Sequence, residues 1–174
     1  QVRERTEEVL EKGRKLEHAY KEIRDSINYA KRIQESILPA RAMIEEVFNH
    51  SFIFYRPKDV VCGDFYWFGK KNNEVVIAAV DCTGHGVPGA FMSMLGVTML
   101  NEIVNGKDIV MPDQIVEELR SGIIKALTQV AGEDSVKDGM DIAMCAVDFD
   151  RNLLYYAGAN NPLYLVRGGE LINY

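Results

Sequence analysis

The sequence predicts an α+β fold: a long leading helix, then antiparallel sheets with helices on their outer faces. Three observations carry this. The first 38 residues are rich in Glu, Lys and Arg, with no proline before Pro39. Short β-rich runs separated by turn residues then lie on either side of two helical stretches. That order, strands then helices then hairpin-linked strands, belongs to antiparallel sheets covered by helices rather than to a βαβ repeat.

In the leading segment Val9, Leu16, Ile23, Ala30 and Ile37 recur every seven residues. Thr6, Gly13, Tyr20, Ile27 and Gln34 fill the second seam position, and Val2 opens the series. This heptad seam predicts a coiled-coil helix over residues 1–38 that pairs with a second copy as a parallel homodimer. The same stripe also suits a helix lying on its own domain. At about 1.5 Å per residue the helix projects well beyond a small core. Gly13 weakens the seam, which suits a helix that transmits a signal, and Pro39 ends it.

The second unit, residues 39–174, opens with an amphipathic piece at 41–48. Residues 51–55, 65–68 and 74–80 read as strands, the last two joined by a turn at 70–73. Residues 89–104 and 112–130 read as helices, with Pro112 suited to a first helical position. Phe91, Met92, Met94 and Met99 fall on a face packed against a sheet. Residues 142–149, 153–157, 163–166 and the run from Leu171 read as strands. Asp150-Arg151-Asn152 and Gly168-Gly169 supply turns, and Asn160-Asn161-Pro162 a further one.

With 174 residues, 47% of them hydrophobic, the chain has material for one sizeable core. A net charge of −6 and a pI near 5.1 argue against a nucleic-acid-binding face. Phosphate recognition through a metal remains open, because a bound cation reverses the charge of its acidic ligands. Three cysteines without C-x-x-C spacing fit a reducing, cytoplasmic setting. The weakly polar stretch 87–100 falls short of a membrane span, and no signal-peptide pattern is visible in these residues. The chain opens inside a helical pattern and stops inside a strand. A piece of a longer polypeptide is therefore expected, with room upstream for a sensor or a membrane anchor.

Two aspartates stand where chemistry is expected. Asp64, in Cys62-Gly63-Asp64-Phe65-Tyr66-Trp67, opens a strand behind a glycine that admits close approach of backbone or ligand. Asp81 closes a strand ahead of Cys82-Thr83-Gly84-His85-Gly86. If these strands are hairpin neighbours, both carboxylates reach one end of one sheet. There they suit two hard cations about 3.5–4 Å apart that activate a water and hold phosphoryl oxygens. Singly, each aspartate also suits an ordinary strand-end turn. His85 suits either a proton donor to a leaving group or a loop histidine bonded to its own backbone. The helix after it directs backbone N–H groups toward the same loop. Arg56 ends a strand shortly before Asp64, where its guanidinium suits a phosphate or simply the surface. Asp138-Gly139-Met140-Asp141, a third acidic cluster before a buried strand, suits a further ligand or, as the favoured reading, a turn and cap.

Four stretches, QESILP (34–39), YRPKDVVCGDFYWF (55–68), VDCTGHGVPGAFMSMLG (80–96) and YAGANNPLYLVR (156–167), resemble the bacterial metal-dependent serine/threonine protein phosphatases of the type 2C superfamily. The most similar branch is that of the sporulation stage II protein E and the phosphatases of sigma-factor partner switching. The resemblance covers about residues 34–174. It implies an α-β-β-α sandwich with two Mn²⁺ or Mg²⁺ ions at one end, held here by Asp64, Asp81 and the backbone carbonyl of Cys82. It implies a phosphorylated partner of the anti-sigma-factor antagonist type and a helical linker behind a sensor domain. The family's remaining metal aspartates lie on strands beyond Tyr174. An incomplete cage, weak metal binding, little activity and an open strand edge are therefore expected of the C-terminally truncated chain. A fold-retaining, non-catalytic dimerisation or binding module is the alternative.

Overall fold

The computed structural model describes residues 2–131 and 138–174; Gln1 and residues 132–137 lie outside the described residues. Helix α1 (Val2–Ile37) leads the chain and the short α2 (Arg41–Glu45) follows. Strands β1 (Phe65–Lys71) and β2 (Glu74–Cys82) form a hairpin. Helix α3 (Gly86–Asn101) runs on through a π-helical turn at Glu102–Gly106, and α4 (Pro112–Ala131) follows. Strands β3 (Met140–Asp148) and β4 (Leu153–Ala159) complete a four-stranded antiparallel sheet in the order β1-β2-β3-β4. Strands β5 (Tyr164–Arg167) and β6 (Glu170–Asn173) pair as a separate hairpin.

The alternation of each strand decides which side chains meet the helices. Phe65 and Trp67 of β1, Val76, Ala78 and Val80 of β2, and Ile142, Met144 and Ala146 of β3 turn to one face. There they join Leu100 and Val97 of α3 and Ile115, Leu119 and Ile123 of α4. The last three recur every fourth residue, the stripe of a helix with one buried side. On the opposite face Phe68 and Val75 pack with Ile44, flanked by Val47, Phe48 and Ile53. Beside them a cavity of about 830 Å³ lies open along the sheet.

The predicted class holds: α+β, antiparallel, with helices on the sheet and a long helix ahead of it. Local details differ. Residues 51–55 alternate as a strand should, yet they pair with no neighbouring strand and leave Phe52 91% exposed. Phe91 is 67% exposed, because α3 is apolar all round and its pattern alone does not select a buried side. The hairpin turn is tighter than residues 70–73, closing at Asn72 in the left-handed region. With its π turn, Gly86–Gly106 becomes long and apolar enough to span a membrane, but it lies as a core helix on the sheet.

Most of α1 stands clear of the rest of the molecule, with Val9, Leu16, Tyr20 and Ile23 exposed. Its last turns dock: Gln34 is 4% exposed, and Ile37 packs on the core.

Candidate metal and phosphate site

The pairing register brings the acids together. Phe65 faces Val80 across β1 and β2, so the next step outward sets Asp64 beside Asp81. Across β2 and β3, Asp81 faces Asp141. Counting alternation back from the buried Phe65, Val80 and Ile142 puts all three carboxylates on the face away from the helices. Like charges placed directly opposite one another in a sheet are destabilising. Burial and a hydrogen-bonding contact with the Asp81 carboxyl accordingly raise the Asp64 pKa above its ordinary range.

Several contacts fix this row. Gln34, buried at the end of α1, donates from Nε2 to the Cys62 carbonyl at 2.5 Å and to Ser93 Oγ at 2.7 Å. Its Oε1 accepts from the Cys62 N–H at 3.0 Å. The long helix is thereby tied to the residues entering Asp64 and to α3. Gly63, Gly84 and Gly89 meet backbone to backbone. A Cβ on Gly89 would stand 2.7 Å from the Gly84 carbonyl oxygen and 3.0 Å from the Gly63 Cα. Thr83 is bonded both ways to Gly139: its N–H donates to the Gly139 carbonyl and its hydroxyl oxygen accepts from the Gly139 N–H, each at 3.0 Å. The Tyr55 hydroxyl donates to the Asp64 carbonyl at 3.2 Å, and burial holds that phenol protonated. Asn160 donates to Asp141 Oδ1 at 2.7 Å.

The row borders a cavity of about 500 Å³ at the sheet edge, also lined by Lys58, Asp59 and His85. His85 Nδ1 lies 2.8 Å from Asp59 Oδ2, so the ring is bonded to a carboxylate rather than to its own backbone. Arg56 does not line this cavity. It borders the larger apolar one, which Asp64 and Asp81 also touch. Asp141 is not a turn residue but part of β3, facing the site.

The donor chemistry is hard. Burial pushes the Cys82 thiol up to about 12 and raises Cys62 as well, so neither offers a thiolate, and Cys82 has its carbonyl to give. Carboxylates and a carbonyl suit Mg²⁺ or Mn²⁺, which keep several waters. Among the described residues no three acidic, His or Cys side chains are close enough together to cage an ion.

Sequence reasoning placed Asp64 and Asp81 at a shared sheet end, and the structure brings them there. The sequence favours a turn role for Asp141 over a ligand role, and it carries no sign of Asp59 or of the anchoring role of Gln34. A signal for Asp141 did exist: stepping one residue back from the inward Ile142 gives the face that Asp81 occupies. Asp59 carries no local pattern.

The family pattern of stage II sporulation protein E (SpoIIE) matches residues 71–173. The chain is 27% identical over 143 residues to the phosphoserine phosphatase RsbU of Bacillus subtilis (strain 168), covering 80% of this chain and 39% of RsbU. Its fold superposes with a TM-score of 0.73 on the SiaA-PP2C domain of Pseudomonas aeruginosa, at 36% identity, over 84% of this chain and 57% of that one. A stage II sporulation E family protein from Thermanaerovibrio acidaminovorans shares the fold alone, with a TM-score of 0.51 at 17% identity over 62% and 51% of the two chains. The chain thus spans less than two thirds of the length of these relatives. With a match across more than half its length, the chain belongs to the stage II sporulation protein E family.

Proposed function

We propose that this chain is the catalytic part of a metal-dependent serine/threonine protein phosphatase in a signalling protein. The observation that carries the reading is the row of Asp64 and Asp81, set side by side on one face at the mouth of a polar cavity. The naming of RsbU as a phosphoserine phosphatase supports it. Asp64, Asp81 and the Cys82 carbonyl hold divalent cations, Mn²⁺ or Mg²⁺. When bound, these supply Lewis acidity that makes water nucleophilic near neutral pH and neutralises phosphoryl oxygens. Asp64 and Asp81 fix where the phosphate sits, and the Gln34 and Tyr55 contacts hold Asp64 in register. Lys58 gives the acidic cavity a cationic side for the phosphate, and His85 lines the same cavity. Arg56 lines the neighbouring apolar cavity instead.

The substrate is a phosphorylated regulatory protein of the anti-sigma-factor antagonist type, met in the cytoplasm. Residues 1–38 form a dimerising linker and residues 39–174 the phosphatase domain. The exposed seam residues Val9, Leu16 and Ile23 favour a second α1 as their cover. A second reading, a binding module that keeps the fold, draws on the lack of a three-ligand cage among the described residues.

Turnover of a phosphoserine peptide by the full-length protein with Mn²⁺ separates the two. Asp81→Asn is expected to lower it by more than about 100-fold, since even an outer-shell partner of a metal is worth about 10–100-fold. Wild-type turnover that Asp81→Asn leaves unchanged contradicts the assignment.

A further inference from the structure

Asp141 stands outside the pair that carries the proposed reaction, and its setting opposes stability. Strand β3 places it directly opposite Asp81, on the face that also holds Asp64. Aspartate is depleted in strands, and like charges facing each other across a sheet destabilise it. Among the described residues, none of these three carboxylates forms an ion pair with a basic side chain. The partner Asp141 does have is Asn160, whose Nδ2 donates to its Oδ1 at 2.7 Å.

The loop that carries Asn160 is shaped around this contact. Asn160 has a φ of 58°, in the left-handed region that asparagine enters more readily than most residues. It follows the end of β4 and bridges back to Ile142, the residue after Asp141. The Tyr156 hydroxyl donates to the Asn161 carbonyl at 2.5 Å, and a Cβ on Gly158 would collide with both of those groups. One oxygen of Asp141 is thus fixed from the β4 side, while its half-buried carboxylate borders the cavity.

Neighbouring strands lie about 4.8 Å apart, so Asp141 is one strand spacing from Asp81 and two from Asp64. A small hard cation bonds oxygen at about 2.1 Å, which puts one shared by Asp64 and Asp81 out of direct reach of Asp141. The lack of a three-ligand cage among the described residues agrees with this. Such cations keep several waters, and a hydrogen bond from one of these waters adds about 2.8 Å. We propose that Asp141, fixed by Asn160, is a positioning residue of the cation site. Its carboxylate accepts a hydrogen bond from the hydration shell of the ion shared by Asp64 and Asp81. Its negative charge favours the cation, and the Asn160 amide keeps the carboxylate from swinging away. The proposal rests on the metal-dependent phosphatase reading and adds to it two residues which that reading does not use.

The full-length protein, freed of metal by chelation, is titrated with Mn²⁺ by electron paramagnetic resonance with no substrate present. Asp141→Asn keeps an oxygen for the Asn160 amide but removes the charge, and is expected to weaken Mn²⁺ binding by about 10–100-fold. Asn160→Gly suits the left-handed backbone and deletes only the amide, and is expected to weaken binding by about 3–10-fold. In the metal-free protein Asp141→Asn should raise Tm by about 1–3 °C, because the facing charges are relieved. A merely structural bond between Asp141 and Asn160 predicts the reverse: a lower Tm and an unmoved Mn²⁺ affinity. Unchanged affinity in either variant, or a loss of affinity in Asp141→Asn that comes with a lower Tm, overturns the proposal alone, provided Asp81→Asn abolishes binding. Wild-type protein that takes up no Mn²⁺ at millimolar concentration overturns the metal-dependent reading and this proposal with it.

Discussion

Replacing Gln34 by alanine tests how the long helix is joined to the site. The side chain is buried and makes three hydrogen bonds, two of them to the peptide groups of Cys62. Ser93 keeps a partner after the change, because its hydroxyl also donates to the Ala90 carbonyl at 2.8 Å. The Cys62 N–H and carbonyl lose theirs. Each buried polar group left without a partner costs about 1–3 kcal/mol, and water entering the vacated space recovers part of that, so a net loss of about 2–4 kcal/mol is expected. For a chain of this size that corresponds to a fall in Tm of about 5–15 °C. Scanning calorimetry reads the loss, and amide hydrogen exchange at Cys62 localises it. A loss below about 1 kcal/mol, with the Cys62 amide as protected as before, refutes the reasoning.

Further outcomes follow from the same geometry. Gly89→Ala places a methyl 2.7 Å from a backbone oxygen that cannot swing away. Despite alanine's higher helix propensity, it should cost about 1–3 kcal/mol in urea unfolding. In the metal-free protein Asp81→Asn relieves a like-charge pair and should stabilise by up to about 1 kcal/mol. The pH dependence has a definite sign. Asp64, raised above its ordinary 3.8, keeps its proton in the fold where the unfolded chain has lost it. Metal-free stability therefore falls as pH rises through the window just above 3.8, and Asp81→Asn should flatten that slope. Ile23→Glu on the exposed stripe of α1 should shift the sedimentation of the full-length protein from dimer to monomer, while an unshifted dimer removes α1 from the interface.

The fold was legible where one period dominates. The fourfold spacing of Ile115, Leu119 and Ile123 specifies one buried face of α4. It was illegible where periodicity carries no orientation. Helix α3 is apolar on every side, so nothing local announces that Phe91 faces out. Residues 51–55 satisfy strand alternation, but a strand also needs a partner, and pairing is not a local property. In the site, Asp64 and Asp81 were legible because a hairpin makes their neighbourhood local. Asp141 depends on the β2–β3 register across an intervening pair of helices, and its Asp-Gly-Met-Asp setting imitates a turn. Gln34 looked like a weak seam residue, because a polar side chain in a heptad gives no hint of a buried peptide group waiting elsewhere.

The proposed phosphatase activity depends most on Asp64 and Asp81 sharing divalent cations at the sheet edge. Anomalous diffraction from crystals of the full-length protein grown with Mn²⁺ tests this directly. Manganese density bonded to both carboxylates, and lost in Asp81→Asn, is the predicted result. Manganese bound elsewhere, or none beside these two side chains, contradicts it.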